Sequence, residues 1–493
     1  MRHHEVVIVG AGFAGVGAAI ELRRAGVTDL VVLDRGDDVG GTWRDNTYPG
    51  AACDVPSILY SFSFAQNPDW SRSFSPQPEI HAYLQRVTRE FGVEPHLRLR
   101  TEVVDVRFDE ATARWHITTE RGRYSARFVI SAVGGLSEPV TPPIPGLDTF
   151  PGQVFHTAAW DHDAPLDGKR VAVVGTGASA IQVVPSLARR VGALTLFQRT
   201  PAWIMPRHDR DWTRVERWLY RRFPALQRLG RTLVYWGREL YVVGFRRPSP
   251  VMRLPQAIAT RHLHRQVRDP KLRRQLTPDY TIGCKRILIS NDFYPALTRD
   301  HVELVDAGLA EVRGSHVVGA DGTEREVDAI VFATGFETRD HPVAHRVHGR
   351  DGRTLADVWA GGTRAHLGTE VAGFPNLFHL VGPNTGLGHS SMVLQIESQV
   401  AYVVDAIGQL RGTEAAADVR EEVMDASDRR VQLALEGTVW TGGGCASWYL
   451  DDTGRNGTLW PSFTFAFRRQ LARYRLEDHE LVVPARSPER VSA

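Results

Sequence analysis

The sequence predicts an α/β fold with two Rossmann-like dinucleotide-binding domains and a helical insertion in the second. Three observations predict it. A buried strand, a glycine turn and a helix start occur over 6–17, and the same pattern returns over 171–181. A proline-rich stretch over 137–145, SEPVTPPIP, separates the two units and disfavours both helix and central strand. From about 205 to 281, Trp, Arg, Tyr and Leu recur at helical spacing, as in WTRVERWLYRRFPALQRL, without β-like alternation. The expected division is a discontinuous first domain over 1–145 and 373–493 and a second over 146–372, with the insertion at about 205–281.

At 493 residues the chain is too long for one compact core, and its 42% hydrophobic and 24% charged composition is that of a soluble globular protein. A net charge of +2 gives no reason to expect nucleic acid as a partner. Basic residues are almost all arginine, with lysine only at Lys169, Lys271 and Lys285. The insertion has a basic amphipathic face, whose expected setting is solvent, although such a face also suits peripheral contact with a membrane surface. Cys53, Cys284 and Cys445 lie far apart and form no C-x-x-C, which argues against a disulfide framework, a zinc ribbon or a dithiol redox centre. No metal is expected. The apolar VVIVG run leads straight into a glycine loop rather than a signal-peptide cleavage site, and no apolar stretch reaches the roughly eighteen residues of a membrane span. A cytoplasmic, reducing setting is the expectation.

The segment VVIVGAGFAG reads as a strand, then Gly10-x-Gly12-x-x-Gly15, then a helix beginning near Val16. The first glycine permits the tight turn, the second lets backbone approach a pyrophosphate, and the third lets helix and strand pack closely. The helix N-terminus then offers unpaired amides and the positive end of its dipole to the phosphates. Asp34 ends the strand LVVLD, at the distance from which an acid reaches ribose hydroxyls. Gly40, Gly41, Thr42 and Trp43 follow, positioned to lay backbone and an indole beside a flavin.

In the second unit, RVAVVGTGASA places Gly175 and Gly177 after a strand, with Thr176 and Ser179 in the turn and Ala180 at the third glycine's position. The next strand, ALTLFQRT, ends in Gln198, Arg199 and Thr200 rather than an acid. A carboxylate there would repel a 2′-phosphate, whereas Arg199 can grip it, so NADPH is expected over NADH.

With these motifs the chain resembles the type I Baeyer–Villiger monooxygenases, within the flavin-containing monooxygenases, and looks closest to the hydroxyacetophenone-monooxygenase-like branch. The carrying motif is F-x-G-x-x-x-H-x-x-x-W-D, matched by Phe150, Gly152, His156, Trp160 and Asp161. A second pattern is met by Gly40, Gly41, Trp43, Tyr48, Pro49, Gly50 and Asp54. The likeness extends through Thr334-Gly335 to the C-terminal SWYLDDTGRNGTLWP, where Leu450-Asp-Asp-Thr-Gly replaces a glycine-rich turn of better-known members.

The resemblance implies FAD and NADPH as cofactors, and conversion of a ketone to an ester or lactone by oxygen through a peroxyflavin. It implies a catalytic arginine at Arg286, supported by Asp54. It implies a 2′-phosphate site at Lys285, Arg199 and Thr200, flavin contacts at Thr42, Trp43, Tyr60, Val103 and Met392, and closure of Trp448 over the nicotinamide. His156 is implied to serve domain motion and NADP positioning. Arginine suits the catalytic role on its own chemistry, because it stays charged and presents several donors in one plane. The nearest alternative is a heteroatom hydroxylase of the same superfamily, which has no strict need for Arg286. A disulfide reductase would need a redox cysteine pair, and a scaffold without turnover would need none of this constellation.

Overall fold

The computed structural model describes residues 1–246, 250–338 and 340–485. Part of the expected insertion (247–249) and of the expected C-terminal segment (486–493) lies outside the described residues.

Val6, Val7 and Ile8 are fully buried, because strand Arg2–Val9 lies in the middle of its sheet with apolar side chains on both faces. It is flanked in parallel by Leu30–Leu33 and Gly122–Ser131, with Val7 opposite Val31 on one side and Val129 on the other. Across the sheet the order is Val347–His348, Val103–Asp109, Arg114–Thr119, Gly122–Ser131, Arg2–Val9, Leu30–Leu33 and Leu97–Arg98, and Leu377–His379 also pairs with Gly122–Ser131. The expected boundary near 373 falls between the two strands by which the chain rejoins this sheet. Helices Phe13–Arg24 and Met392–Leu410 pack on one face, around Phe13, Val16, Ile20, Val400 and Val403.

The second sheet has five parallel strands in the order Val302–Val305, Ala193–Phe197, Arg170–Val174, Ala329–Phe332 and Gln153–His156. Parallel neighbours need crossovers, and the helix Ala180–Leu187 supplies one over a core that includes Val171, Val173, Ile181 and Val184. The lobes meet where Tyr48 donates to Gln182 Oε1 at 2.8 Å and Gln182 Nε2 donates to the Ala52 carbonyl at 2.9 Å. A cavity of about 440 Å³ lies behind this contact, lined by Arg72, Arg189 and Arg207 among others, and it touches neither glycine loop.

The insertion is helical: Arg214–Arg222, Pro224–Glu239, Tyr241–Arg246, Arg253–Gln266 and Pro270–Gln275. Local chemistry sets its starts. Thr213 and Glu216 form a reciprocal capping box, proline opens the second helix, and the Asp269 side chain accepts from Lys271 and Leu272 amides ahead of Pro270. Although it belongs in sequence to the second lobe, the insertion is pinned to the first. Arg231 donates to the Ile58 and Leu59 carbonyls at 3.1 and 3.0 Å, and Gln227 donates to the Asn67 carbonyl at 2.7 Å. The buried Glu239 accepts from the Thr464 amide at 2.9 Å and the Thr464 hydroxyl at 2.6 Å.

The first glycine turn depends on close packing. A Cβ on Gly15 would stand 1.8 Å from the Gly10 carbonyl oxygen, whereas one on Gly12 would meet nothing nearer than the Gly41 Cα at 3.8 Å. Gly15→Ala should therefore lower the melting temperature of the cofactor-free protein by several degrees, on the order of 2–4 °C per kcal/mol lost. Gly12→Ala should leave it close to the parent. Differential scanning fluorimetry that ranks the two variants equal would contradict this packing.

Candidate active site

Gly10 has φ of 109°, and a Cβ there would strike the Ala132 carbonyl, so the turn passes close under the sheet. The helix that follows has no side-chain cap at Gly12, which leaves its first amides free to meet an anion. Asp34 is buried. Its Oδ2 accepts from the Ala11 amide at 2.7 Å, while Oδ1 accepts from the Gly36 amide and from Arg44 Nη1, both at 2.7 Å. A carboxylate oxygen has two acceptor sites, so Oδ2 retains one for a ribose hydroxyl.

The Gly40–Trp43 turn folds back over this loop. Gly40 donates to the Ala11 carbonyl at 2.9 Å, and Gly41, at φ of 51°, brings its Cα against Gly12. Thr42 opens the short helix Thr42–Asp45. Trp43 Nε1 donates to the Tyr60 hydroxyl at 2.9 Å, and Tyr60 stands edge-on to Phe13 with ring centroids 5.2 Å apart. Met392 packs against the same core. Val103 belongs to a different core, on the Asp34 side, where the Thr101 amide donates to the Asp34 carbonyl. An open glycine face, an uncapped helix start, a fixed acid and a half-buried aromatic pair fit an adenine dinucleotide with a flavin ring.

In the second lobe Gly175 has φ of 115° and packs against the Ala333 carbonyl, while a Cβ on Gly177 would stand in open space. Thr176 Oγ1 donates to the Thr200 carbonyl at 2.7 Å, tying the glycine turn to the end of the next strand. Ser179 precedes the helix Ala180–Leu187 and makes no cap bond of its own. Arg199 is exposed and has no hydrogen bond or ion pair among the described residues. Lys285 is brought beside it: burial first, then the Arg199 charge, lower the Lys285 ammonium from its ordinary value, against a weaker opposing pull from Asp279. Two cations held together without a bound carboxylate leave a place for an anion, and these residues fit a 2′-phosphorylated nicotinamide dinucleotide.

Between the lobes, Arg286 Nε donates to Asp54 Oδ2 at 2.8 Å and Nη2 donates to Asp54 Oδ1 at 2.7 Å. This is a bidentate pair with side chains 36% and 25% exposed. Burial opposes the charge on Asp54, and the Arg286 guanidinium outweighs it, holding the carboxyl below its ordinary value of 3.8. A depressed carboxyl contributes stability above its unfolded value, and that contribution is lost as pH falls through the lower folded value, so the pair persists throughout the neutral range. Asp54 in turn holds Arg286 more firmly charged.

Two neighbours of the pair were not singled out in the sequence, Tyr449 although it lies in the quoted C-terminal segment. Tyr449 is buried beside Arg286, with burial pushing its hydroxyl up to about 12, so it stays protonated at neutral pH. Arg238, on helix Pro224–Glu239, has no hydrogen bond or ion pair among the described residues. Burial lowers its guanidinium, and Asp54 and Arg286 are among the charges that act on it. Its signal in the sequence is its seven-residue spacing from Arg231, which puts both on one helix face.

The linker motif is a packing element. Phe150 is buried in the core of the second lobe, and a Cβ on Gly152 would lie 2.2 Å from the Asp328 carbonyl oxygen. Trp160 stands edge-on to Phe155, and Asp161 accepts from the Asp163 amide at 2.9 Å. His156 is buried at the end of strand Gln153–His156, opposite Phe332. Its Nδ1 accepts from the Ala158 amide, and burial lowers the imidazole to about 4, so it is neutral at neutral pH. Trp448 is 46% exposed, with its ring centroid 4.6 Å from that of Tyr449.

One expectation is overturned. Cys284 and Cys445, 161 residues apart in sequence, form a disulfide with Cα atoms 6.1 Å apart, while Cys53 is free and buried. Spacing along the chain cannot see a contact made by folding the C-terminal segment over the turn that carries Lys285 and Arg286. Thr281 donates to the Gly443 carbonyl at 3.0 Å in the same contact. Among the described residues no cluster of His, Cys, Asp or Glu could hold a metal ion.

Two glycine loops on separate sheets, the first mixed and the second all parallel, with a fixed guanidinium between them, define a flavoprotein oxidoreductase of the two-dinucleotide class. The family described as pyridine nucleotide-disulphide oxidoreductase matches residues 7–238, which stops short of the Cys284–Cys445 pair. A Baeyer–Villiger monooxygenase of Streptomyces coelicolor is 54% identical over 486 residues, 98% of this chain and 94% of that protein. A steroid monooxygenase bound to NADP superposes with a TM-score of 0.84 at 32% identity, covering 95% of this chain and 97% of its own. OTEMO in complex with FAD and NADP superposes with a TM-score of 0.86 at 27% identity, covering 97% and 99%. The chain belongs to the Baeyer–Villiger monooxygenase family.

The bridge itself is directly testable. Proteolysis under non-reducing conditions should recover one crosslinked peptide pair joining Cys284 to Cys445, with Cys53 as the thiol labelled only after unfolding. Free thiols at all three positions in unreduced, folded protein would show that the bridge does not form.

Proposed function

We propose that the chain is an NADPH- and oxygen-dependent flavoprotein monooxygenase that converts a ketone to an ester or lactone, with Arg286 as its catalytic cation and Asp54 as that cation's positioning partner. The observation that carries the assignment of roles is the bidentate hold of Asp54 on Arg286 at the junction of the two lobes. Bound FAD supplies the redox chemistry, taking electrons from NADPH and activating oxygen. The protein's task is to hold charge, exclude water and keep the partners aligned.

Negative charge develops on the substrate oxygen when a carbonyl is attacked. A guanidinium already fixed in orientation stabilises that charge without reorganising, and loss of one such donor costs on the order of 100- to 1000-fold in rate. Asp54 keeps the guanidinium from rotating away and offsets the cost of burying it. Gly10, Gly12, Gly15, Asp34, Gly41, Thr42, Trp43, Asp54, Tyr60, Val103 and Met392 are assigned to FAD. Gly175, Thr176, Gly177, Ser179, Arg199, Thr200, Lys285, Arg286 and Trp448 are assigned to NADPH. The exposed position of Trp448 means that, in this role, it must move to cover the nicotinamide. A cytoplasmic setting is part of the same reading.

A heteroatom hydroxylase would oxidise amine or sulfide without a fixed cation. Turnover of cyclic ketone, aryl ketone and sulfide by one preparation separates the readings, since sulfide turnover alone excludes the ketone reaction. Arg286→Ala should still bind FAD and be reduced by NADPH, yet release hydrogen peroxide in place of ester, with ester formation down by about 100-fold or more. Normal ester production by this variant would remove Arg286 from the chemistry. Arg199→Ala should raise KM for NADPH much more than KM for NADH, and equal increases would show that Arg199 does not read the phosphate.

A further inference from the structure

Exposed apolar side chains are concentrated in one place. Of the 23 large hydrophobic residues exposed among the described residues, 13 lie between Val215 and Ile258. That is more than half of them in less than a tenth of the chain. Scattered singly, exposed leucines need no explanation; a contiguous patch does.

The pattern on the longest helix of the insertion is regular. Leu226, Leu229, Leu233, Trp236 and Leu240 follow one another at alternating steps of three and four residues, which lays them along one face of helix Pro224–Glu239 and its C-terminal cap. Leu229, Leu233, Trp236 and Leu240 are 56%, 66%, 53% and 72% exposed. The opposite face is the one that carries Gln227, Arg231 and the buried Glu239 into the first lobe. The helix thus turns its polar side inward and its apolar side out, the reverse of a solvated surface helix. Trp218 and Phe223, with ring contact between them, are exposed on and after the preceding helix, which packs on this one, and Val243, Val251, Leu254 and Ile258 are exposed on the segments that follow it.

Charge identifies the occupant. Residues 214–266 contain twelve arginines and two acids, Glu216 and Glu239. Both acids are engaged away from the face. Glu216 closes the capping box and binds Arg210 with both oxygens, and Glu239 is buried against Thr464 and His389. Arg217, Arg222, Arg228, Arg253, Arg261 and Arg265 make no ion pair among the described residues. A second copy of this chain laid on the same face would oppose arginine to arginine with no acid to answer it. A leucine- and tryptophan-bearing surface rimmed by unpaired arginines matches a bilayer with anionic headgroups, where indole and leucine enter the interface and guanidinium meets phosphate.

We propose that the outer face of the helical insertion docks the enzyme on anionic lipid membranes, resting on the surface without crossing it. No helix among the described residues is long and apolar enough to span a bilayer. Docking places the helix that carries Arg238 past Asp54 and Arg286 directly against the lipid.

The FAD-loaded enzyme is mixed with phosphatidylcholine vesicles made with and without phosphatidylglycerol, sedimented, and the bound fraction measured at low and high salt. Binding to the phosphatidylglycerol vesicles, much weaker binding to phosphatidylcholine alone and release by salt are expected. The combined variant Leu229→Ser, Leu233→Ser and Trp236→Ser should lose on the order of tenfold in binding while its flavin spectrum stays unchanged. Should that variant fail to fold, Arg222→Glu with Arg228→Glu provides the same reading from exposed charges. Failure of the unmodified enzyme to sediment with phosphatidylglycerol vesicles overturns the proposal, as does equal binding by the variants. A dimer seen by light scattering that the leucine variant converts to monomer also overturns it, by making the face a contact between copies. None of these readouts requires turnover, so the result stands apart from the assignment of the ketone reaction.

Discussion

The two hydrogen bonds between Arg286 and Asp54 are the constraint around which the molecule is arranged. Their partners come from opposite lobes and are 232 residues apart in sequence, so the site exists only when both lobes are folded and in register. A lone buried guanidinium or carboxylate would be costly, and pairing them offsets most of that cost while fixing the orientation of both. Cys53, Tyr60 and Tyr449 surround the pair with groups that burial keeps uncharged. Arg286 retains donors beyond the two given to Asp54, and Arg238 adds a second cation beside the neutralised pair, so the site can still receive an anionic oxygen.

Much of this was legible in the chain itself because the features involved are local. A glycine turn between strand and helix is written in consecutive residues, and so is the change from acid to Arg199 at the end of the second nucleotide strand. The alternation of apolar runs with helical segments was enough to indicate two Rossmann-like lobes, but not the antiparallel strand Arg114–Thr119 that makes the first sheet mixed where a parallel one was expected. The cationic neighbours of Arg286 were legible only in part: Lys285 is its sequence neighbour, whereas Arg238 reaches it through tertiary packing of the insertion.

What escaped was long-range or depended on direction. The Cys284–Cys445 bridge looked excluded because spacing carries no information about how the C-terminal segment folds back. The amphipathic period of the insertion was plain, but a period has no sign. Nothing in WLYRRFPALQRLG states whether leucines or arginines face inward, and burial of Glu239 and Arg231 against the first lobe decides it. Trp448 and Tyr449 are neighbours in sequence with opposite environments, one exposed and one buried beside Arg286, a difference that only backbone direction sets.

The anchoring of the insertion has a mechanical meaning. Covalently it leaves and re-enters the second lobe near the paired strands Ile204–Met205 and Leu288–Ile289, yet Arg231, Gln227 and Glu239 fasten it to the other lobe. Its last helices are held to the second lobe as well, with Leu263, Val267 and Leu276 in that lobe's core and Gln198 donating to the Gln275 carbonyl, so the insertion is a span fastened at both ends. The position of Arg238, on the longest helix of that span, is therefore set by both lobes at once, and the charge it presents to Asp54 and Arg286 reports whether the two are in register.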